Sequence, residues 1–173
     1  KRNPAVAKIL EEVKRLEHEG YQFETADGSF ELLVRRALGL WVSPMETIGY
    51  RVIEEMRGGG SSVSEASVKI RVGERILHRV AEGDGPVNAL DAALRLTFLS
   101  EFPYIQSVSL DNFKVRVLDA KAGSAARVRV WATFSNGKGS WGTVGVSQNI
   151  IEASWKAILD GLDYRIMKES TNG

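Results

Sequence analysis

Apolar residues recur three and four apart in the first stretch of the chain, NPAVAKILEEVKRLEHEG, where Val6, Ile9, Leu10, Val13 and Leu16 share one stripe of a helix. Asn3 is the expected N-cap, Pro4 suits the first helical position, and Gly20 ends the run. The same period returns over Phe30, Leu33, Val34, Ala37 and Leu38, in a helix that starts near Asp27 or Ser29 and stops at Gly39. From residue 49 the period changes to two. IGYRVIEEMR is a strand candidate, and GGGSSVSE is a hairpin loop or linker. ASVKIRV alternates Val68, Ile70 and Val72 with Ser67, Lys69 and Arg71, and GERILHRVAEG turns and runs back as a further strand. GPVNALDAALRLTFLSEF is helical, with Val87, Leu90, Leu94 and Phe98 on one stripe; Leu96 and Leu99 make it apolar on more than one side, so it packs on a sheet and on something else.

The second half repeats this order. QSVSLDNFKVRVLD, ARVRVWATFS and GSWGTVGVS alternate at period two, placing Phe113, Val115 and Val117, then Val128, Val130, Ala132 and Phe134, toward one side. NIIEASWKAILDGL closes the half as a helix with Ile151, Trp155, Ile158, Leu159 and Leu162 on one face, and the tail ESTNG is expected to fray. Residues 49–102 and 105–162 therefore each predict three strands and a helix, an internal βββα repeat. The predicted fold is α+β, two pseudo-symmetric βββα units (49–173) preceded by two linker helices (1–48).

Composition narrows the function. With 173 residues and 43% hydrophobic content the chain can bury a core. Lysine and arginine (23) balance aspartate and glutamate (22), so no global field favours nucleic acid or an acidic membrane. The absence of cysteine removes disulfides, thiolate metal sites and cysteine nucleophiles. No apolar run is long enough for a membrane span and the stretch KRNPAVAKIL lacks the apolar core and cleavage site of a signal peptide, so a cytoplasmic location is expected. A start at Lys1 rather than methionine suggests a piece of a longer protein.

The candidate chemistry lies in two glycine turns, EGDGPVNALDAAL and TVGVSQNIIEASWKAI, each a strand end running into a helix start. The first N–H groups of a helix lack intrahelical partners and carry the positive end of its dipole, so they attract carboxylate or phosphate. Gly83 and Gly85 allow close approach, Pro86 suits the first helical position, and Asn88 or Asp84 can meet an ammonium or hydroxyl group. Gly145, Ser147 and Asn149 are expected in the same places of the second turn. No phosphate-loop or dinucleotide pattern accompanies them, so a small carboxylate is favoured over a nucleotide. The apolar flanks Val87, Leu90, Val146, Ile150 and Ile151 suit a branched hydrocarbon side chain. A tight turn with an ordinary cap explains each phrase alone; their recurrence at matching points of a repeat favours a ligand.

Other features carry less. His18 and His78 have no partners at metal-ligand spacing, and no H-x-H, H-E-x-x-H or G-x-S-x-G occurs, so neither a metal site nor a catalytic residue is expected. Lys114, Arg116, Arg127, Arg129 and Trp131 fall on outward strand faces, where a solvated sheet is commoner than a surface for single-stranded nucleic acid.

GYQFETADGSFELLVRRALG, EGDGPVNALDAAL and WGTVGVSQNIIEASWKAILDGLDY together resemble the C-terminal, LeuA-type dimerisation region of citramalate synthases, relatives of 2-isopropylmalate synthases. The resemblance implies a regulatory homodimer of paired βββα units that binds an end-product amino acid at the dimer interface, near the two turns. It implies isoleucine for the citramalate branch and leucine for the isopropylmalate branch; a dimerisation module without a ligand is a third reading. Carried onto this chain, Gly83, Asp84, Gly85, Pro86, Val87, Asn88 and Ala89, with Gly145, Val146, Ser147, Asn149 and Ile150, line the effector site, and Leu94, Phe98 and Trp155 serve packing or the interface. Acetyl-CoA and a divalent metal belong, by the same resemblance, to a catalytic domain outside this sequence.

Overall fold

The computed structural model describes residues 4–56 and 58–171. In chain order the elements are α1 (Pro4–Glu19), α2 (Asp27–Ala37), β1 (Met45–Met56), β2 (Ser62–Val72), β3 (Arg75–Gly83), α3 (Pro86–Leu99), β4 (Ser109–Val117), β5 (Val128–Ser135), β6 (Ser140–Ser147) and α4 (Ile150–Thr171). Short 3-10 segments at Pro103–Ser107 and Ala120–Ala125 flank β4. The strands form two antiparallel sheets, β1-β2-β3 and β4-β5-β6, so the fold is α+β with two βββα units. One compact unit runs from Ser43 to Ser107; the other joins the residues up to Val42 to those from Val108 on. The helices expected ahead of both repeats thus fold onto the second one.

The repeat is regular to the residue. Ala66 pairs with Ala81 and Ile70 with Leu77 in one sheet; Val130 pairs with Gly145 and Phe134 with Trp141 in the other, an offset of 64 positions. The helices start at the same offset, at Pro86 and Ile150. The outer strands recur at an offset of 63, Tyr50 matching Phe113, and each carries a bulge at the same point, between Thr47 and Gly49 and between Leu110 and Asn112. A bulge bends the strand and raises its twist, so both sheets curve alike.

In the Ser43–Ser107 unit, Ala66, Val68, Ile70 and Leu77 of the sheet and Ala89, Leu90, Ala93, Leu94 and Phe98 of α3 are buried. Each large member contributes roughly 1.5–3 kcal/mol on leaving water. In the other unit Val130, Ala132, Phe134 and Trp141 are buried along with Ala153, Trp155, Ala157, Ile158, Leu162 and Ile166 of α4. Leu94, Phe98 and Trp155 are thus core residues of the single chain. Phe113, Val115 and Val117 do share the α4-facing side, because they pair with Ala132, Val130 and Val128. Yet Val115 and Val117 remain 42% and 52% exposed, since β4 is an outer strand lying beyond the cover of the helix.

Three further expectations are corrected. The helix does not end near residue 162: α4 continues to Thr171, so Glu169–Thr171 are helical; Asn172 and Gly173 lie outside the described residues, as does the proposed N-cap Asn3. Gly161 does not stop the helix because it serves as a contact, where a Cβ would lie 2.1 Å from the Phe134 ring. Second, β1 begins at Met45, ahead of residue 49. Third, the face of α2 is misassigned by periodicity alone: Gly28, Ser29 and Leu32 are buried, while Phe30 and Leu38 are exposed. Polar Ser29 goes inside because its hydroxyl accepts from the Val144 N–H (3.1 Å) and donates to Asp160 (2.8 Å). Asp27 accepts from the Gly142 N–H at 2.7 Å, and the Tyr21 hydroxyl meets the Val146 backbone. Side chains of residues 21–29 therefore satisfy the free edge of β6, which an open strand would expose.

The same helix anchors a charge cluster. Arg36 reaches Asp163 at 2.7 Å and Asp160 at 3.2 Å, and the Trp41 indole donates to Asp163 at 3.1 Å. Burial pushes the Asp160 carboxyl above its ordinary range, with Asp163 adding to the effect and Arg36 and Ser29 opposing it. The folded chain thus holds this proton more tightly than the unfolded one. Its stabilising contribution is present below the ordinary aspartate value and lost as pH rises through the higher folded value. Asp160→Asn is expected to remove this acid-favouring component, read as a flatter dependence of the urea midpoint on pH between mildly acid and neutral; an unchanged slope would assign it to another group.

Candidate functional site

The two strand-to-helix junctions are built from the same repeat but are chemically unlike. At the first, Gly85 is the N-cap in extended conformation, its carbonyl accepts from the Ala89 N–H at 2.9 Å, and no side chain caps the helix. Pro86 has no N–H to offer, and the Asn88 carbonyl oxygen turns back to the Asp84 N–H at 3.2 Å. The N–H groups of the first turn therefore meet no side-chain acceptor and carry the positive end of α3. Gly83 makes this arrangement possible: a Cβ there would lie 2.5 Å from both the Ala89 nitrogen and Asn88 Oδ1. Ala89 is fully buried, whereas Asp84 and Asn88 are exposed.

At the second junction the chain satisfies itself. Asn149 Oδ1 accepts from the N–H groups of Ile151 (2.8 Å) and Glu152 (3.3 Å). Ser147 accepts from the Asn149 N–H at 3.0 Å and donates to Glu152 at 2.6 Å. That bond, with help from Lys156, holds the Glu152 carboxyl below its ordinary range, so an anion already occupies this helix start. The carbonyls of Gly85 and Asn149 accept the equivalent first helical bonds, which makes Asn149 the counterpart of Gly85. At the offset of 64, Ser147 then answers Gly83, and Gly145 answers Ala81. Gly145 thus does not stand in the place of the first turn's glycines. It faces α4, where a Cβ would lie 2.1 Å from the Ala153 carbonyl oxygen. Val146 is buried, its carbonyl accepting from Lys156 at 3.0 Å, and Ile150 is 45% exposed.

One residue escapes a reading based on turns. Asp91, one helical turn beyond Val87 on the same stripe, has a buried carboxylate oxygen without a hydrogen-bond partner. Its other oxygen accepts from Arg95 at 2.9 Å. Burial raises the Asp91 pKa and Arg95 opposes the rise. The signal was present in NALDAAL, an acid inside an apolar helix.

The basic sheet face resolves differently from a solvated surface. Arg129 is only 8% exposed and donates to the Gly20 carbonyl and to Gln22 Oε1 (3.0 Å), while Arg127 donates to the Glu19 carbonyl at 2.9 Å. Both hold the connection between α1 and α2. Among the described residues no group of three or more histidine, cysteine, aspartate or glutamate side chains could hold a metal ion, and no helix is long and apolar enough to cross a membrane.

The two βββα units place the chain in a class of allosteric domains: it belongs to the LeuA allosteric (dimerisation) domain family, whose profile matches residues 24–166. Its similarity to named proteins is closer still. It is 46% identical to an (R)-citramalate synthase of Geobacter sulfurreducens over 168 residues, 96% of this chain and 32% of that protein. It is 40% identical to the (R)-citramalate synthase of Aquifex aeolicus over 173 residues, 99% of this chain and 33% of that protein. A 2-isopropylmalate synthase of Ruminiclostridium cellulolyticum is 31% identical over 113 residues, 65% of this chain and 20% of that protein. The chain spans about a third of the length of these citramalate synthases.

Proposed function

We propose that this chain is the regulatory domain of an acetyl-CoA-dependent citramalate synthase, that it assembles as a homodimer, and that it binds isoleucine to inhibit the parent enzyme. The observation that carries the branch assignment is coverage: citramalate synthases align over nearly the whole chain, the isopropylmalate synthase over two thirds of it. The parent's acetyl-CoA and divalent metal are assigned to a domain outside this sequence; the donor groups described here do not fit a metal ion, and no step of that chemistry is derived for them. The uncovered strip of Phe113, Val115 and Val117 supports association with a second copy, which would take its exposed members out of water.

The junction spanning Gly83, Asp84, Gly85, Pro86, Val87, Asn88 and Ala89 is the better ligand site of the two, because the second already satisfies its own helix start through Ser147 and Asn149. The effector carboxylate lies on the free N–H groups of α3, and its ammonium meets Asp91 or the exposed Asp84. Val87 and Leu90 supply apolar surface for the branched side chain. Binding that prefers one dimer arrangement need supply only about 1–3 kcal/mol of coupling to regulate. Isothermal titration with isoleucine tests this. Asp91→Asn is expected to weaken binding by about tenfold or more through loss of a charged hydrogen bond, with the fold intact. Wild-type affinity in both Asp91→Asn and Asp84→Asn would remove the ammonium from this helix.

A further inference from the structure

The outer face of the β4-β5-β6 sheet, turned away from α4, carries a cavity of about 400 Å³ lined by Gln22, Glu24, Thr25, Asn112, Lys114, Trp131 and Thr133. Its floor is a two-by-two patch set by register, Asn112 opposite Thr133 and Lys114 opposite Trp131, and its wall is the segment leading into α2. Its charged groups mark it as more than a gap. Lys114 and Glu24 both line the cavity, and neither joins an ion pair among the described residues. Beside Lys114, Arg116 stands directly opposite Arg129, a like-charge cross-strand pair that is unfavourable by itself. Arg129 is nearly buried, bonds only neutral acceptors and stacks 5.0 Å over Trp131, so its charge meets no carboxylate in these contacts.

The feature is not inherited from the repeat. The other sheet has Gly49, Arg51, Ser67 and Lys69 at the positions of Asn112, Lys114, Trp131 and Thr133. Trp131, Thr133 and Asn112 are peculiar to this unit, and the wall of residues 22–25 covers this sheet.

We propose that this cavity is a second small-molecule site, which takes a carboxylate bearing a hydrogen-bond donor on the adjacent carbon, an α-hydroxy or α-amino acid. The carboxylate lies toward Lys114, within the field of Arg116 and Arg129, against the Trp131 ring. The hydroxyl or ammonium donates to Glu24. Thr133 and Asn112 hydrogen-bond the remaining polar atoms. This site is separate from the α3 junction and does not depend on the assignment of isoleucine there.

The test is a titration of the full chain followed by the indole N–H resonance of Trp131, identified by its loss in Trp131→Phe. Citramalate serves as the hydroxy acid, alanine as the amino acid and inorganic phosphate as the bare anion. A saturable shift of the Trp131 resonance with citramalate or with alanine is expected, and whichever produces it identifies the ligand type. Lys114→Met and Glu24→Gln, both surface changes, should each weaken it by about tenfold or more while leaving the thermal midpoint in place. No shift with either acid at millimolar concentration overturns the proposal. So does a shift that survives both substitutions, or one that phosphate reproduces with equal affinity, which would leave Glu24 without a role. Isoleucine binding at α3 should survive Lys114→Met, so the two sites fail independently.

Discussion

Gly145→Ala is expected to destabilise the chain by about 3 kcal/mol, at the upper end of the range for inserting a methyl group into a packed core. A Cβ at this position would lie 2.1 Å from the Ala153 carbonyl oxygen, 2.9 Å from Lys156 Cβ and 3.0 Å from the Ala157 nitrogen. Two of these atoms are backbone of α4, so no side-chain rotation relieves the contact. The helix must lift from β6, losing the packing of Ala157 and the 2.6 Å bond from Thr143 to the Ala157 carbonyl. Urea unfolding measures the loss. Gly139→Ala is the control, because nothing lies within 4 Å of its added methyl, and it should change stability by no more than about 0.5 kcal/mol. Equal midpoints for the two variants would contradict the packing described for the sheet and α4.

Arg36→Met is expected to cost about 2 kcal/mol at neutral pH. Removing one member of a buried ion pair typically costs about 3–5 kcal/mol, and the figure is reduced here because the Arg36 side chain is 42% exposed and its charge partly screened. What remains is the burden on Asp163, which is 1% exposed and keeps the Trp41 indole as a donor, and on Asp160, already pushed upward by burial. The loss should shrink as pH falls through the carboxylate range, because protonation of Asp160 removes the charge that Arg36 neutralises. Urea midpoints across that range provide the check, and a pH-independent loss would mean that Arg36 acts by packing alone.

Much of the architecture was legible because its period is strong. The alternation at Val68, Ile70 and Val72 and at Val130, Ala132 and Phe134 placed both central strands, and the phrases around Gly83 and Gly145 placed both helix starts. The sequence could not show which turn residues correspond. Glycines attract the eye, but register sets Gly145 against Ala81 and Asn149 against Gly85, so the second turn caps itself while the first stays open. The α2 face was misjudged for a related reason: hydrophobicity ranks Phe30 above Ser29, yet the edge of β6 needs a hydrogen-bonding group there. Arg129 looked solvated from its alternation, and it is buried because residues 20–22 supply acceptors over 100 positions away in sequence. Asp91 was visible as an acid in an apolar helix, but the lack of a partner for one oxygen is a property of the fold.

Recognition of a branched amino acid by this domain is tested most directly by thermal unfolding of the chain with isoleucine, leucine, valine and glycine in turn. A ligand that binds only the folded state at one hundred times its dissociation constant adds about 2.7 kcal/mol, a shift that is easily read. A saturable rise of the midpoint with isoleucine that exceeds those with leucine, valine and glycine is predicted. A larger rise with leucine would move the domain to the isopropylmalate branch, and the same midpoint with all four would contradict the effector site at α3.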